Sequence, residues 1–236
     1  MAKALILVTL VLSSAVLCFA PPNVAKNWKL TDNSSPIDSE TPVTGVNRLQ
    51  TELKLVDHKL IQDYSTQFGL DFRLVLAIIK NESQFNAAAI SYRGARGLMQ
   101  IMPVTNEEIN EKLRLQDSYH PSQNLKAGIY YFAQLLELFN GKELEDRLCL
   151  ALAAYNAGPS RIYDAQELAA YMGENPNSWT SIQNVLPLLS KRYYSLHQSV
   201  WTEGKPPNGY FGSWRQTISY VESVMNTYKN YQSLFD

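Results

Sequence analysis

Cysteine and histidine are scarce in this sequence. Of two cysteines, Cys18 falls in an apolar N-terminal segment, and Cys149 alone cannot form an internal disulfide. The three histidines, His58, His120 and His197, have neither zinc-ligand spacing nor a Ser-His-Asp arrangement around them. The sequence therefore predicts no metal site, no other cofactor and no catalytic triad. Cys149 lies in an apolar helical run and is expected to be a packing residue.

The sequence also lacks a marked excess of basic or of acidic residues. The 236 residues carry 21 basic and 22 acidic side chains, which gives a formal net charge of −1. This balance provides no electrostatic reason to expect binding to nucleic acid or strong binding to a membrane surface. The composition, 45% hydrophobic and 18% charged, is typical of one compact globular domain.

Long apolar runs are missing except at the N-terminus. There Lys3 precedes an apolar stretch of roughly 17 residues ending at Ala20, which is at the short limit for a membrane span and favours a secretory signal. Two alternatives stand for its processing. The signal peptide is cleaved after Ala20, although Pro21 is a poor neighbour, or Cys18 is lipidated, although Leu17 is large for such a signal. Either predicts export, to the periplasm or as an outer-membrane lipoprotein facing it.

Strand-like alternation is absent too, and the periodicity beyond residue 46 is helical. Residues 21–46 are rich in Pro, Asn, Ser and Thr and predict a flexible tether. Predicted helices run from Asn47 to near Gly69, from an Asp71 cap to Ser83, from a Thr105 cap to about Leu113 and from Leu144 to Gly158. Residues 120–124 predict a turn into a further helix, which has its apolar stripe from Leu125 to Phe139 and stops at Gly141. A last helix carries Ile218, Val221, Met225 and Tyr228 on one face, with Tyr220 and Val224 on another. The fold class is therefore all-α.

Glu82 stands at the end of the most apolar of these helices. Residues 74–79 are all hydrophobic, which places the helix inside the domain. Burial and the negative end of the helix dipole both disfavour the Glu82 anion, so both raise its pKa towards that of a general acid. The alternative from position alone is an ordinary solvated glutamate at a frayed helix end.

A glycine-containing segment follows Glu82. Gly94 and Gly97 allow the backbone to approach a ligand or another segment closely. Gln100 is an amide within the apolar run that ends at Pro103, and it needs a hydrogen-bond partner from protein or from a sugar.

These motifs resemble a known family. The segments ESQFN (82–86), AIS (89–91), GARGLMQIMP (94–103) and AYNAGP (154–159) occur in the order found in family 1 lytic transglycosylases, the goose-lysozyme-like SLT domains that cleave bacterial peptidoglycan. The match covers roughly residues 60–162. It implies a lysozyme-like catalytic domain over residues 47–236, preceded by a signal (1–20) and a tether (21–46), and it implies peptidoglycan glycan strands as the partner of a monomeric enzyme.

The resemblance also implies a mechanism. Glu82 would protonate the oxygen between N-acetylmuramic acid and N-acetylglucosamine, then take a proton from the muramoyl 6-hydroxyl to close a 1,6-anhydro ring without water. A second carboxylate is not needed, and none occurs between Ser83 and Glu107. Tyr155 would face the acid. The remaining implied substrate-binding residues are Ser83, Ser91, Met99, Gln100, Asn156 and Tyr220.

The C-terminal third resembles the catalytic domain of membrane-bound lytic transglycosylase F more loosely. Tyr220 and Val221 keep their places in that pattern, and Tyr220 is expected to line the cleft. Gln216 stands where the pattern has a glutamate, and residues 213–215 also depart from it. No amino-terminal periplasmic binding domain of the F type is expected.

Two other functions compete with a transglycosylase. One is a muramidase that admits water to the same cleft. The other is a non-catalytic peptidoglycan-binding or secretion-apparatus module that keeps the fold. The presence of Glu82, Gln100 and Tyr155 argues against the non-catalytic module.

Overall fold

The computed structural model describes residues 57–116, 120–139 and 143–235. Over these ranges it contains nine α-helices and no strand, which confirms the predicted all-α class. They are α1 (His58–Gln67), α2 (Phe72–Ser83), α3 (Pro103–Leu113), α4 (Pro121–Leu138), α5 (Leu144–Ala157), α6 (Pro159–Tyr171), α7 (Trp179–Val185), α8 (Tyr194–Val200) and α9 (Trp214–Phe235). The predicted signal and tether lie outside the described residues. Among those described, no helix is long and apolar enough to cross a membrane.

Helix α2 begins and ends as the sequence predicts. The Asp71 carboxylate caps it by accepting a hydrogen bond from the Arg73 backbone N–H at 2.9 Å. Its residues 74–79 are at most 2% exposed, so the helix is enclosed on every side. This burial holds the end of α2, and with it Glu82, inside the domain.

A second helix, α5, is as deeply buried as α2. All residues from Leu148 to Ala154 are buried, including Cys149, whose predicted role in packing is confirmed. Helices α4, α6, α7 and α9 all pack against α5. Alanines at 151, 153 and 154 present little bulk, which lets these neighbours approach closely. The domain is therefore organised around two central helices rather than the single one predicted.

Proline marks the start of three helices. The prediction that Thr105 caps α3 was wrong, because α3 begins at Pro103 with Met102 at the cap position. Proline lacks the N–H that the first helical position leaves unpaired, and its φ is already helical. Pro121 opens α4, so the prediction that residues 120–124 form a turn before this helix was wrong. Gly158 ends α5 as predicted, but Pro159 starts α6 at once, and sequence reasoning missed that helix.

The last helix, α9, brings the C-terminal part of the chain onto the core. It packs along α2 and α5. Its buried residues include both Val221 and Val224, which the sequence analysis placed on different faces. A helix lying between two partners buries a wider strip than one packed on a single partner. This docking places Tyr220 beside the end of α2.

Gly128 of α4 is required by a close approach. A Cβ at this position would lie 2.3 Å from the Met99 Cβ and 2.5 Å from its Cγ, and Met99 is fully buried. We expect Gly128→Ala to destabilise the protein by about 1–3 kcal/mol, because neither α4 nor Met99 has room to move. Urea denaturation measures this free energy. The matched control is Gly212→Ala, whose Cβ would meet no atom within 4 Å; equal unfolding midpoints for the two variants would contradict the prediction.

Candidate active site

The chain leaves α2 abruptly after Glu82 and Ser83. Gln84 (φ 52°) and Phe85 (φ 63°) both adopt the left-handed conformation, which is rare for residues other than glycine. The Gln84 N–H bonds to the Lys80 carbonyl and closes the helix. Two consecutive left-handed residues next to a half-buried carboxyl mark this helix end as a candidate functional site.

The Glu82 carboxyl has one direct side-chain partner among the described residues. The Tyr220 hydroxyl of α9 donates a hydrogen bond of 2.6 Å to Glu82 Oε1. Burial raises the pKa of Glu82 from 4.5 to about 7, and the Tyr220 hydrogen bond opposes this rise. Because its pKa lies near neutrality, this carboxyl can both donate and accept a proton at physiological pH.

Tyr155 approaches the same carboxyl from α5. Its pKa is raised well above the usual value, first by burial and then by the charge of Glu82. Its hydroxyl donates a hydrogen bond of 2.6 Å to the Met99 carbonyl. The Tyr131 ring lies 5.6 Å from the Tyr155 ring. The hydroxyl that bonds directly to Glu82 thus belongs to Tyr220. That Tyr155 positions the proton of the acid stays a prediction.

Gln100 secures the loop between α2 and α3. Its amide nitrogen donates to the Ala89 carbonyl at 3.0 Å and to the Gly97 carbonyl at 2.8 Å, and its backbone is left-handed with φ 48°. Two single-pair antiparallel bridges, Ile90 with Arg96 and Arg96 with Ile101, tie the same loop together. The partners that the Gln100 amide needs are thus backbone carbonyls here, and its contact with a sugar stays a prediction.

Asn124 of α4 is a site-shaping residue that sequence reasoning missed. It is 1% exposed, accepts a hydrogen bond from the Met99 N–H at 3.0 Å and donates one to the Arg96 carbonyl at 3.0 Å. A Cβ at Gly97 would lie 2.4 Å from the Asn124 side chain, and Gly97 has φ 79°. Only glycine fits there. An asparagine early in a helix gives no sequence signal of such a long-range bond.

The remaining predicted residues hold local structure. The Ser83 hydroxyl donates to the Ile79 carbonyl at 3.2 Å, and the Ser91 hydroxyl accepts from the Ala95 N–H at 3.0 Å. Asn156 Oδ1 accepts a hydrogen bond of 2.9 Å from the Thr217 hydroxyl of α9. The Met99 side chain is fully buried. Substrate contacts by these four residues stay predictions.

Glu82, Tyr155 and Tyr220 therefore come together from three helices, with the Met99 carbonyl behind them. Within the described ranges, no second carboxylate is close enough to shift the pKa of Glu82. The site thus contains one carboxyl that titrates near neutral pH, accepts a hydrogen bond from a phenol hydroxyl and is itself partly exposed. It can transfer a proton to a bound group and take one back.

A cavity of about 250 Å³ lies apart from these residues. Its lining comes from the loop between α1 and α2, from α4 and from α5, and includes Phe68, Tyr130, Gln134 and Arg147. None of the predicted site residues contributes to it. Glu82 itself is partly exposed, and the cleft predicted beside it stays a prediction.

Comparison with known proteins identifies relatives of this arrangement. The model of the transglycosylase SLT domain matches residues 59–176, which is half of the chain. The membrane-bound lytic murein transglycosylase F of Desulfosudis oleivorans is 36% identical over 173 residues, covering 72% of this chain and 35% of that protein. The protein of the same name from Histophilus somni strain 129Pt is 36% identical over 166 residues, covering 70% of this chain and 33% of that protein. The chain thus spans about a third of the length of these relatives.

The fold has a counterpart among solved structures. The 70 kDa soluble lytic transglycosylase of Escherichia coli superimposes with a TM-score of 0.55 at 18% identity, covering 84% of this chain and 31% of that one. At this identity the likeness bears on the fold alone, and it confirms the predicted lysozyme-like, all-α architecture. Because the family model spans both the Glu82 helix and the Tyr155 helix, the chain belongs to the transglycosylase SLT domain family.

Proposed function

We propose that this chain is a peptidoglycan lytic transglycosylase, a carbon-oxygen lyase that cuts between N-acetylmuramic acid and N-acetylglucosamine and leaves a 1,6-anhydro end. The observation that carries the proposal is a single half-buried carboxyl, Glu82, with a pKa of about 7 and a phenol hydroxyl on its Oε1. The names of the relatives and the family support the same activity.

In the first half of the proposed reaction, Glu82 acts as an acid. Its proton goes to the bridging oxygen, the bond between that oxygen and the muramoyl C1 breaks, and N-acetylglucosamine leaves as an alcohol. The muramoyl 2-acetamido group stabilises the cationic centre. The Glu82 anion formed in this step is stabilised by the Tyr220 hydroxyl, which donates to it.

In the second half, Glu82 acts as a base. It takes the proton from the muramoyl 6-hydroxyl while that oxygen bonds to C1, so the carboxyl is restored and no water is consumed. A pKa near the working pH suits a group that must perform both transfers. A hydrolase with two carboxylates would use the second one to activate water or to attack the sugar. Ring closure needs only one carboxyl, and the causes of the Glu82 pKa shift include no other carboxylate of the described residues.

Digestion of purified peptidoglycan tests this proposal. We expect muropeptides with 1,6-anhydro ends, each lighter by one water than the corresponding reducing-end product. Liquid chromatography with mass spectrometry separates the two classes, and digestion in ¹⁸O-labelled water gives a control because anhydro ends carry no label. Labelled reducing ends as the main product would replace the proposal with the muramidase alternative. Binding to sacculi without any released muropeptide would favour the non-catalytic module.

The proposal extends to substrate contacts and cell location. Residues of the sequence motifs that carry Glu82 and Tyr155 are proposed to contact the glycan strand: Ser83, Ser91, Met99, Gln100 and Asn156. The relatives carry the name membrane-bound, which supports an exported, periplasmic protein. Anchoring at Cys18 is a further proposal, tested by the intact mass of the exported protein: a diacylglyceryl-modified Cys18 at the N-terminus supports it, and an unmodified N-terminus at Pro21 contradicts it.

A further inference from the structure

The residue before Glu82 binds two successive turns of α9. The Ser223 hydroxyl donates a hydrogen bond of 2.5 Å to Asn81 Oδ1, and the Asn81 amide nitrogen reaches the Thr227 hydroxyl at 3.4 Å. The same nitrogen donates to the Ala77 carbonyl of its own helix at 2.8 Å. The Asn81 side chain is therefore fixed to α2 and bridges residues four apart on α9.

Tyr220 lies one turn before Ser223 on the same helix. Residues three and four apart on a helix are neighbours, so Tyr220, Ser223 and Thr227 follow one another along α9. Asn81 and Glu82 are likewise adjacent on α2. The Tyr220–Glu82 bond of 2.6 Å and the Ser223–Asn81 bond thus join the same short stretches of the same two helices.

We propose that Asn81 is a positioning residue: by holding Ser223 and Thr227 it sets the register of α9 on α2 so that the Tyr220 hydroxyl reaches the Glu82 carboxyl. The importance of this register for turnover rests on the function proposed above, but the geometric claim does not. A slide of α9 by one residue moves it by about 1.5 Å, which is enough to break a hydrogen bond of this length.

The apolar contacts of α9 are less directional than its hydrogen bonds. Val221, Val224 and Met225 are buried, but dispersion contacts do not select one donor and one acceptor as hydrogen bonds do. A second polar contact, from the Tyr228 hydroxyl to Asp71 Oδ2 at 2.8 Å, ties α9 to the far end of α2. It lies eleven residues along α2 from Glu82, so the contact next to the acid is the one made by Asn81.

The surroundings of Glu82 make its titration a readout of this register. The ionisable groups that face it are Tyr220 from α9 and Tyr155 from α5, with Tyr131 of α4 next to Tyr155. Tyr220 alone among them donates a hydrogen bond to the carboxyl and lowers its pKa. If Tyr220 moves away, the pKa of Glu82 must rise further.

The test is a titration of Glu82 by ¹³C NMR in protein labelled at glutamate δ-carbons, with the Glu82 signal assigned by its loss in Glu82→Gln. We expect Asn81→Ala to raise the pKa of Glu82 by about one pKa unit, since a hydrogen bond to a charged group is lost. Ser223→Ala should raise it by less, because Thr227 remains. The matched control is Ser233→Ala, which removes a hydroxyl on the same helix that bonds to the Asn230 carbonyl; it should leave the titration unchanged.

A double-mutant cycle separates positioning from a direct effect of the Asn81 amide. In the Tyr220→Phe background, Asn81→Ala should cause no further rise in the pKa of Glu82. An equal rise in both backgrounds, or a lower melting temperature with an unchanged pKa, would overturn the proposal. If Asn81→Ala does not fold, the exposed Ser223 hydroxyl gives the same cycle through Ser223→Ala. The titration needs no turnover, so a wild-type protein that makes no anhydro products would overturn the proposed function while leaving this result interpretable.

Discussion

Glu82→Gln is expected to abolish turnover of peptidoglycan while the protein still binds sacculi. The substitution removes the titrating proton with almost no change in shape, and the proposed mechanism uses this one carboxyl in both proton transfers. General acid–base catalysis contributes about 10²–10⁴-fold per group, so we expect a loss of at least about 10³-fold in kcat. Release of soluble muropeptides measures the rate, and co-sedimentation with sacculi measures binding.

The matched control for this variant is Glu145→Gln. Glu145 is a surface glutamate, 70% exposed and paired with Lys229 at 3.2 Å, so its loss should leave the rate unchanged. Comparable activity in Glu82→Gln and in the wild type would exclude Glu82 as the acid. Loss of both activity and binding would indicate that the glutamine variant had disturbed the fold.

Thermal unfolding shows whether Glu82→Gln disturbs the fold, because the substitution is expected to raise the melting temperature rather than lower it. The pKa of Glu82 is higher in the folded protein than the ordinary value of 4.5, so the folded state loses stability relative to the unfolded chain as pH rises from 4.5 through about 7. Glutamine has no such cost. We therefore expect Glu82→Gln to unfold at a higher temperature than the wild type at pH 8, and this difference to shrink at pH 5.

Tyr220→Phe is expected to give the second largest effect. The Tyr220 hydroxyl stabilises the Glu82 anion, so its removal raises the pKa of Glu82 above about 7, by about one pKa unit or more. The activity of the wild type should fall as pH rises through about 7, and that fall should move to higher pH in the variant. Loss of a group that orients the carboxyl should also lower kcat by about 10–100-fold. Profiles of kcat against pH measure both effects.

Tyr228→Phe is the control for Tyr220→Phe. It removes a tyrosine hydroxyl from the same helix, but that hydroxyl donates to Asp71 at the other end of α2. We expect a modest loss of stability and no shift in the pH profile. A Tyr220→Phe profile that matches the wild type would show that the hydrogen bond to Glu82 has no part in catalysis.

Local patterns in the sequence predicted much of the frame. The apolar run of α2 and the Asp71 cap lie next to each other in the chain, so burial and helix start could be predicted without knowing the neighbours. Proline positions were predicted less well: Pro103 starts α3, and Thr105 does not. A polar side chain near a helix start is a weaker signal than the fixed φ of proline two residues earlier.

The hydrogen bonds at the site needed the tertiary structure. Tyr220 is 138 residues from Glu82, and Asn124 is 25 residues from Met99, so nothing local connects either pair. The prediction that Tyr220 lines the cleft came only from the family resemblance. The same resemblance predicted that Tyr155, not Tyr220, faces the acid. The docking of α9 against α2 decides which phenol hydroxyl reaches the carboxyl.

By itself, then, the sequence determined the all-helical class, the buried helix that ends at Glu82 and the family to which the chain belongs, because periodicity, capping and motifs are local properties. Only the tertiary structure decided that Tyr220 holds the acid, that α5 shares the centre with α2, and that Asn124 and Gln100 secure the loop beside the site. These contacts join residues far apart in the chain, and their geometry depends on how whole helices pack, which no short stretch of sequence encodes.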